Sequence, residues 1–196
     1  MNSIVRAVSI ETEVTAKDFR HAMRQLTGGV SVITAGKGRD ISGMTVTSVS
    51  SLSVEPPSLI VSLNRESSSW PLVKRFGFFG VNILTSDQID IAERFTGKGG
   101  LKGAERFTGA RWITRASGVP LLEGALAAID CAVEDVVERH SHAIVIGRVL
   151  DVAVSARTAA LAYWQGRYVA VDQDEDAVKL AEVGVPASRT VRTNPR

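Results

Sequence analysis

The densest chemistry in the chain lies between Ser42 and Ser53, where seven of twelve residues carry a hydroxyl. Ser42, Thr45, Thr47, Ser48, Ser50, Ser51 and Ser53 stand there with no acid, base or amide among them. A solvated strand face ordinarily shows Lys, Glu or Gln. Small hydroxyls and exposed main-chain N–H groups instead suit a flat, hydrogen-bond-rich ligand, or a phosphate. A Ser/Thr-rich edge strand running into a loop has the same composition, so the residues alone leave both readings open. A second cluster follows at Asn64-Arg65-Glu66-Ser67-Ser68-Ser69-Trp70. Three serines at a helix start, beside an arginine, would cradle a phosphate, because terminal N–H groups and the helix dipole favour anions. Ordinary N-capping accounts for the same serines without any ligand.

Other candidate chemistries are poorer. His140 and His142 alternate along a strand and would share a face, as a metal pair requires, but Ala143–Val149 offers no third ligand. A single cysteine, Cys131, excludes an intrachain disulfide and a multi-cysteine zinc or iron–sulfur site. The glycine-rich run Gly97–Gly103 carries Lys102 where G-x-G-x-x-G needs its last glycine, and it follows a helical pattern. Trp70, Trp112 and Trp164 are scattered and fit core positions better than a platform for bases. With Lys+Arg 23 against Asp+Glu 21, no strong field draws the molecule to nucleic acid or a membrane surface.

The elements that must position these groups follow from periodicity. Thr15–Leu26 reads as a helix, with Phe19, Ala22, Met23 and Leu26 on one stripe and Thr15 and Asp18 as a capping box. Val30–Ala35 and Ile41–Ser50 flank a turn at Gly36–Asp40, a hairpin pattern. Ser58–Asn64 and Phe78–Leu84 read as strands. Ser67–Phe76, capped by Ser67 or Ser68, and Asp87–Phe95, opened by Ser86 or Asp87, read as helices. Leu101–Arg111 is irregular. Two long strands, Ala125–Val137 and His142–Val154, precede a hairpin of Leu161–Trp164 and Tyr168–Val171. The pattern predicts a mainly β fold, a closed or nearly closed antiparallel β-barrel with peripheral helices. Residues 15–171 make one domain, residues 1–14 an N-terminal extension, and residues 172–196 a tail with one helical turn near Ala177–Val183. The start of the chain lacks the apolar core of a secretory signal, so a cytoplasmic protein with a reduced thiol is expected. An identical pentapeptide, Glu-Arg-Phe-Thr-Gly, occurs at Glu93–Gly97 and again at Glu105–Gly109. Two copies do not make a repeat architecture, and coincidence in a basic, glycine-rich loop is the expectation.

Taken in order, several segments resemble the flavin reductase-like family with the FMN-binding split barrel, which includes the small reductase components of two-component flavin monooxygenases. They are Phe19-Arg20-His21-Ala22-Met23, Thr27–Thr34, Gly43–Ser53, Pro56-Pro57, Val81-Asn82-Ile83-Leu84 and His142–Val149. The resemblance covers about residues 19–171 and implies that the barrel is of Greek-key type. It implies that Thr45, Val46, Thr47, Ser48, Ser50 and Ser51 lie along the ring and ribityl chain of the flavin. It implies that Asn64, Arg65, Ser67 and Ser68 hold its phosphate. The loop after Phe95, with Lys98 and Lys102, is similar to one that closes over the flavin. Tyr163 or Trp164 sits where an aromatic approaches the same pocket. His142 matches a histidine near the nicotinamide and takes the catalytic position. The family often has Gly-Asp before that histidine. Here His140-Ser141 stand there, without the carboxylate.

The resemblance therefore implies reduction of FMN or FAD by NADH or NADPH in a homodimer, with reduced flavin passed to a transient oxygenase partner or to ferric iron. A scarcity of nucleophiles is consistent with this, since the flavin carries the electronic burden and the protein aligns two rings. Two other readings stay open: a flavin-dependent oxidase of the pyridoxamine-phosphate type, and a non-enzymatic flavin- or haem-binding module.

Overall fold

A computed structural model describes residues 13–172. The first helix, α1 (Ala16–Met23), opens with the expected capping box: Thr15 accepts from the Asp18 N–H, and the Asp18 carboxylate accepts from the Thr15 N–H. Its apolar stripe stays uncovered, however. No residue of α1 is buried, and Phe19 and Leu26 are 60% and 66% exposed.

Twelve strands follow, in three antiparallel sheets. They are β1 (Gly28–Gly29), β2 (Ser31–Lys37), β3 (Asp40–Val46), β4 (Ser50–Val54), β5 (Pro57–Asn64), β6 (Phe78–Ile83), β7 (Trp112–Thr114), β8 (Pro120–Leu122), β9 (Ala127–Arg139), β10 (His142–Val154), β11 (Ala160–Trp164) and β12 (Arg167–Val171). The main sheet has the order β3-β2-β6-β9-β10-β5-β4, flanked by a β1-β11-β12 sheet and a β7-β8 pair. Two short helices, α2 (Trp70–Phe76) and α3 (Ile89–Phe95), and two 3-10 turns, Lys98–Gly100 and Gly103–Phe107, complete the described residues.

The order of the seven strands forces the sheet to close on itself. Its two edges, β3 and β4, are consecutive in the chain and joined only by Thr47-Ser48-Val49. Laid flat, edge strands of a seven-stranded sheet would stand about 29 Å apart. Four Cα steps reach at most about 14 Å. The sheet therefore curls into a barrel, and because β3 and β4 do not pair with each other, a split remains between them. Strand alternation then divides the side chains. Ile33, Met44, Val61, Leu63, Phe79 and Val145 fill the interior together with Trp70 and Val73 of α2. Val30, Val32, Leu84, Phe95, Phe107 and Leu161 build a second core on the other face, beneath α3 and the 3-10 turns.

Several boundaries differ from the sequence reading, each for a local reason. The strand expected to reach Ser50 stops at Val46, because the chain leaves one sheet edge there to start the other. The helix expected from Ser67 begins at Trp70, whose buried side chain and the following Pro71 fix its first turn. Ser69 occupies its N-cap and makes no side-chain capping bond. The helix after Thr85 starts at Ile89, since Asp87 turns back to Thr85 and the Gln88 side chain accepts from the Thr85 N–H. The long hairpin of β9 and β10 turns in two residues, His140-Ser141, rather than four. The expected tail beyond Asp172, with its turn near Ala177–Val183, and most of the N-terminal extension lie outside the described residues. Among the described residues, no helix is long and apolar enough to cross a membrane.

Candidate functional site

The hydroxyl-rich segment lies on the split itself. Its first half ends β3, its middle crosses the gap, and its second half is β4. Ser48 Oγ donates to the Ser62 carbonyl of β5 at 2.8 Å, which anchors the crossing to the barrel wall. Thr45 Oγ1 donates to the Ala92 carbonyl at 2.6 Å and ties β3 to α3. The N–H groups of Ser48 and Val49 donate to no main-chain carbonyl among the described residues, so they remain open to an acceptor. Gly28 is required beside this segment, because a Cβ there would sit 2.8 Å from the Thr47 Cβ.

Two cavities meet along β3. The larger, about 770 Å³, has Met44 and Thr45 on one side, Asn64 and Glu66–Ser68 on another, and Phe95, Thr96, Lys102 and Arg106 opposite. The smaller, about 220 Å³, is walled by Val30, Thr45, Val46, Thr47, Thr96, Tyr163 and Tyr168. Thr45 and Thr96 belong to both. One end therefore has two cations, Lys102 and Arg106, against Glu66, with several hydroxyls, and the other sets two tyrosines and two valines beside three threonines. Tyr163 and Tyr168 meet edge to face with centroids 5.3 Å apart. Burial, then the neighbouring Glu93 and Tyr163, pushes the Tyr168 phenol above its ordinary pKa, so that wall stays neutral. This donor set suits a flat, acceptor-bearing ring with a phosphate on a polyhydroxyl arm. FMN has that form, and the residues present fit it.

The residues expected to bind flavin divide between walls and supports. Thr45, Val46, Thr47, Asn64, Ser67, Ser68, Phe95, Lys102 and Tyr163 line the two cavities. Asn64 also accepts from the Glu66 N–H at 3.0 Å, and Ser68 pairs with Ser42 at 2.7 Å, so both are held in place. Phe95 is nearly fully buried and serves as floor rather than as a free contact. Ser50 and Ser51 lie exposed on β4, outside both cavities. Arg65 and Lys98 line neither cavity. Arg65 is drawn to Glu138 at 2.7 Å and to the His140 carbonyl at 2.9 Å, away from the cationic end. Lys98 pairs with Glu93 at 2.8 Å and faces a neighbouring hollow with Asp90 and Arg94. His142 begins β10 directly opposite Asn64 in the register, exposed at the rim of the large cavity's strand pair. Its Nδ1 lies 2.9 Å from the Ser141 hydroxyl, so the serine supplies the hydrogen-bond partner that the absent carboxylate would have given.

Arg106 is a site residue that the sequence reading misses. Its Nη1 donates to the Gly43 carbonyl at 2.7 Å and its Nε to the Leu101 carbonyl at 3.0 Å, fixing the guanidinium on the cavity wall. The signal lies in the repeated pentapeptide. In the folded chain the two copies meet: Phe95 and Phe107 stack edge to face, centroids 5.0 Å apart. Arg94 of the first copy donates to the carbonyl and hydroxyl of Thr108 in the second, at 2.8 and 2.9 Å. Thr96 and Thr108 make the same bond, each hydroxyl donating to the glutamate carbonyl three residues earlier. The two copies thus pack as a clasp that presents Arg106.

Comparison with known proteins agrees with this geometry. Residues 23–172 match the family model described as flavin reductase like domain. The chain is 35% identical over 155 residues to FMN reductase (NADH) RutF of Cronobacter sakazakii, covering 79% of this chain and 92% of that protein. It is 39% identical over 165 residues to the reductase component of an FADH(2)-dependent resorcinol hydroxylase from a Rhizobium species, covering 83% and 90%. Among solved structures, BorF, the flavin reductase component of a bacterial two-component tryptophan halogenase, superposes with a TM-score of 0.75. That match has 28% identity and covers 82% of this chain and all of the other. On these matches the chain belongs to the flavin reductase-like family.

Proposed function

We propose that the protein is an NADH- or NADPH-dependent flavin reductase, acting on FMN or FAD and supplying reduced flavin to a partner oxygenase or to ferric iron. The observation that carries this reading is the pair of joined cavities at the split, cationic at one end and aromatic at the other. A bound flavin would supply the hydride-accepting chemistry. The chain's own residues bind and orient. Lys102 and Arg106 would attract the phosphate, with Ser67 and Ser68 adding hydroxyls. The N–H groups of Ser48 and Val49, next in the chain to the cavity residue Thr47, would offer donors to the ring's heteroatoms. His142, oriented by Ser141, positions the nicotinamide. Nothing in such a reaction needs a side-chain nucleophile.

Residues 15–171 are the working domain in this reading, in a cytoplasmic homodimer. Exposed Leu52 and Val54 on β4, with Ile144, Val152 and Val154 on β10, give an apolar outer face that a second copy would cover. The test is direct. Purified protein mixed with NADH or NADPH and FMN, FAD or riboflavin under air should consume the nicotinamide, followed at 340 nm. No consumption with any pair would sink the reductase reading and leave a binding module.

A further inference from the structure

The aromatic end of the site does not stop at Tyr163. A third cavity, about 240 Å³, shares Thr47 and Tyr163 with the ring cavity and continues onto α1 through Arg20, Met23, Arg24 and Leu26. Arg20 and Arg24 also line a further hollow of about 430 Å³, with Lys17, Asp18 and His21. The helix is fixed in this place by the tip of the β11–β12 hairpin: the Gln165 N–H donates to the Arg24 carbonyl at 3.1 Å and Trp164 Nε1 to the Gln25 carbonyl at 3.3 Å.

Positive charge is in excess on this helix and its C-cap, with Lys17, Arg20 and Arg24 against Asp18 alone. Asp18, its only acid, is engaged by the Thr15 hydroxyl at 2.6 Å and the Thr15 N–H at 3.2 Å. Among the described residues, no carboxylate lies within ion-pair distance of Lys17, Arg20 or Arg24, whereas Arg65, Arg75, Arg111, Arg115 and Arg157 each have one. Unpaired arginines beside Met23 and Leu26, one step from a ring cavity, match a ligand with a diphosphate and a flat heterocycle.

We propose that α1 seats the adenosine diphosphate half of a dinucleotide, with Arg20 and Arg24 on the diphosphate and Met23, Leu26 and Tyr163 beside the adenine. NADH and FAD both carry that group. The assignment rests on the reductase reading, and it makes α1 a specificity element rather than a cap on the fold.

The test uses the full chain with Arg20→Gln and Arg24→Gln combined, and Arg20→Glu as a second variant. With FMN as acceptor, KM for NADH should rise about tenfold, the scale of one lost charge-assisted contact. Turnover of 1-benzyl-1,4-dihydronicotinamide, which has no phosphate, should stay at the parent value. That outcome assigns the seat to NADH. If KM for NADH is unchanged but the Kd for FAD rises while that for FMN does not, the seat holds FAD. Unchanged values for both, or an equal loss with the benzyl co-substrate, would overturn the proposal. A parent protein that oxidises neither nicotinamide would refute the reductase reading instead, and the FAD-against-FMN titration would still decide for or against α1.

Discussion

Replacing Gly43 by alanine probes the closest approach at the site. An added Cβ would stand 2.5 Å from the Ile33 carbonyl oxygen and 2.8 and 2.9 Å from two atoms of the Phe95 ring. Ordinary contact begins near 3.4 Å, so β2 and β3 must part by about 0.9 Å or Phe95 must leave its seat. Ile33 belongs to a paired strand, and Phe95 is packed by Phe107 and Trp112, so neither yields cheaply. Overpacking of this kind costs roughly 1–3 kcal/mol, offset in small part by the stiffer unfolded chain. For a domain of this length that lowers Tm by about 3–10 °C. The Gly43 carbonyl also holds Arg106, so displacement of β3 should weaken FMN binding as well. Thermal unfolding of parent and variant, with FMN titration by fluorescence quenching, reads both effects. A Gly43→Ala protein with the parent's Tm and the parent's FMN affinity would refute this packing of β2, Gly43 and Phe95.

The cationic end of the large cavity gives a sharper chemical test. Arg106→Gln should weaken FMN about tenfold or more and leave riboflavin, which lacks the phosphate, nearly unchanged. An equal loss for both flavins would move the phosphate elsewhere. His142→Ala should raise KM for NADH or lower turnover at constant flavin affinity, and parent-like kinetics would remove His142 from the reaction. Cys131 is fully buried, and desolvation, with the Asp130 charge adding to it, pushes its pKa up to about 12. The native thiol should therefore resist alkylation at pH 8 and react only on unfolding. Rapid labelling of folded protein would contradict the interior placement.

Much of this was legible before folding. The β-branched run Val30–Ala35, the similar runs after Ala125 and the Thr15–Asp18 capping pair each carry local information, and the corresponding elements form where those patterns lie. The segment Gly43–Ser53 also declared itself, because seven hydroxyls without a charge are an unusual surface for a solvated strand. What local pattern cannot carry is pairing between distant residues. Arg65 was expected at the phosphate and Lys98 in a loop closing over the flavin, yet they pair with Glu138 and Glu93, and only the juxtaposition of β5 with β9 and β10, and of α3 with the following turn, brings those partners near.

The same limit explains Arg106 and the split. A repeated pentapeptide has no meaning along the chain, and becomes a clasp only when α3 and the second 3-10 turn pack through Phe95 and Phe107. By itself the sequence determined the residue types, the strands and the chemical poverty that requires a borrowed cofactor. Tertiary structure decided which of those residues face a cavity. It did so through one topological fact: strands adjacent in the chain became opposite edges of the sheet, and a three-residue link pulled those edges together around the Thr47–Val49 crossing.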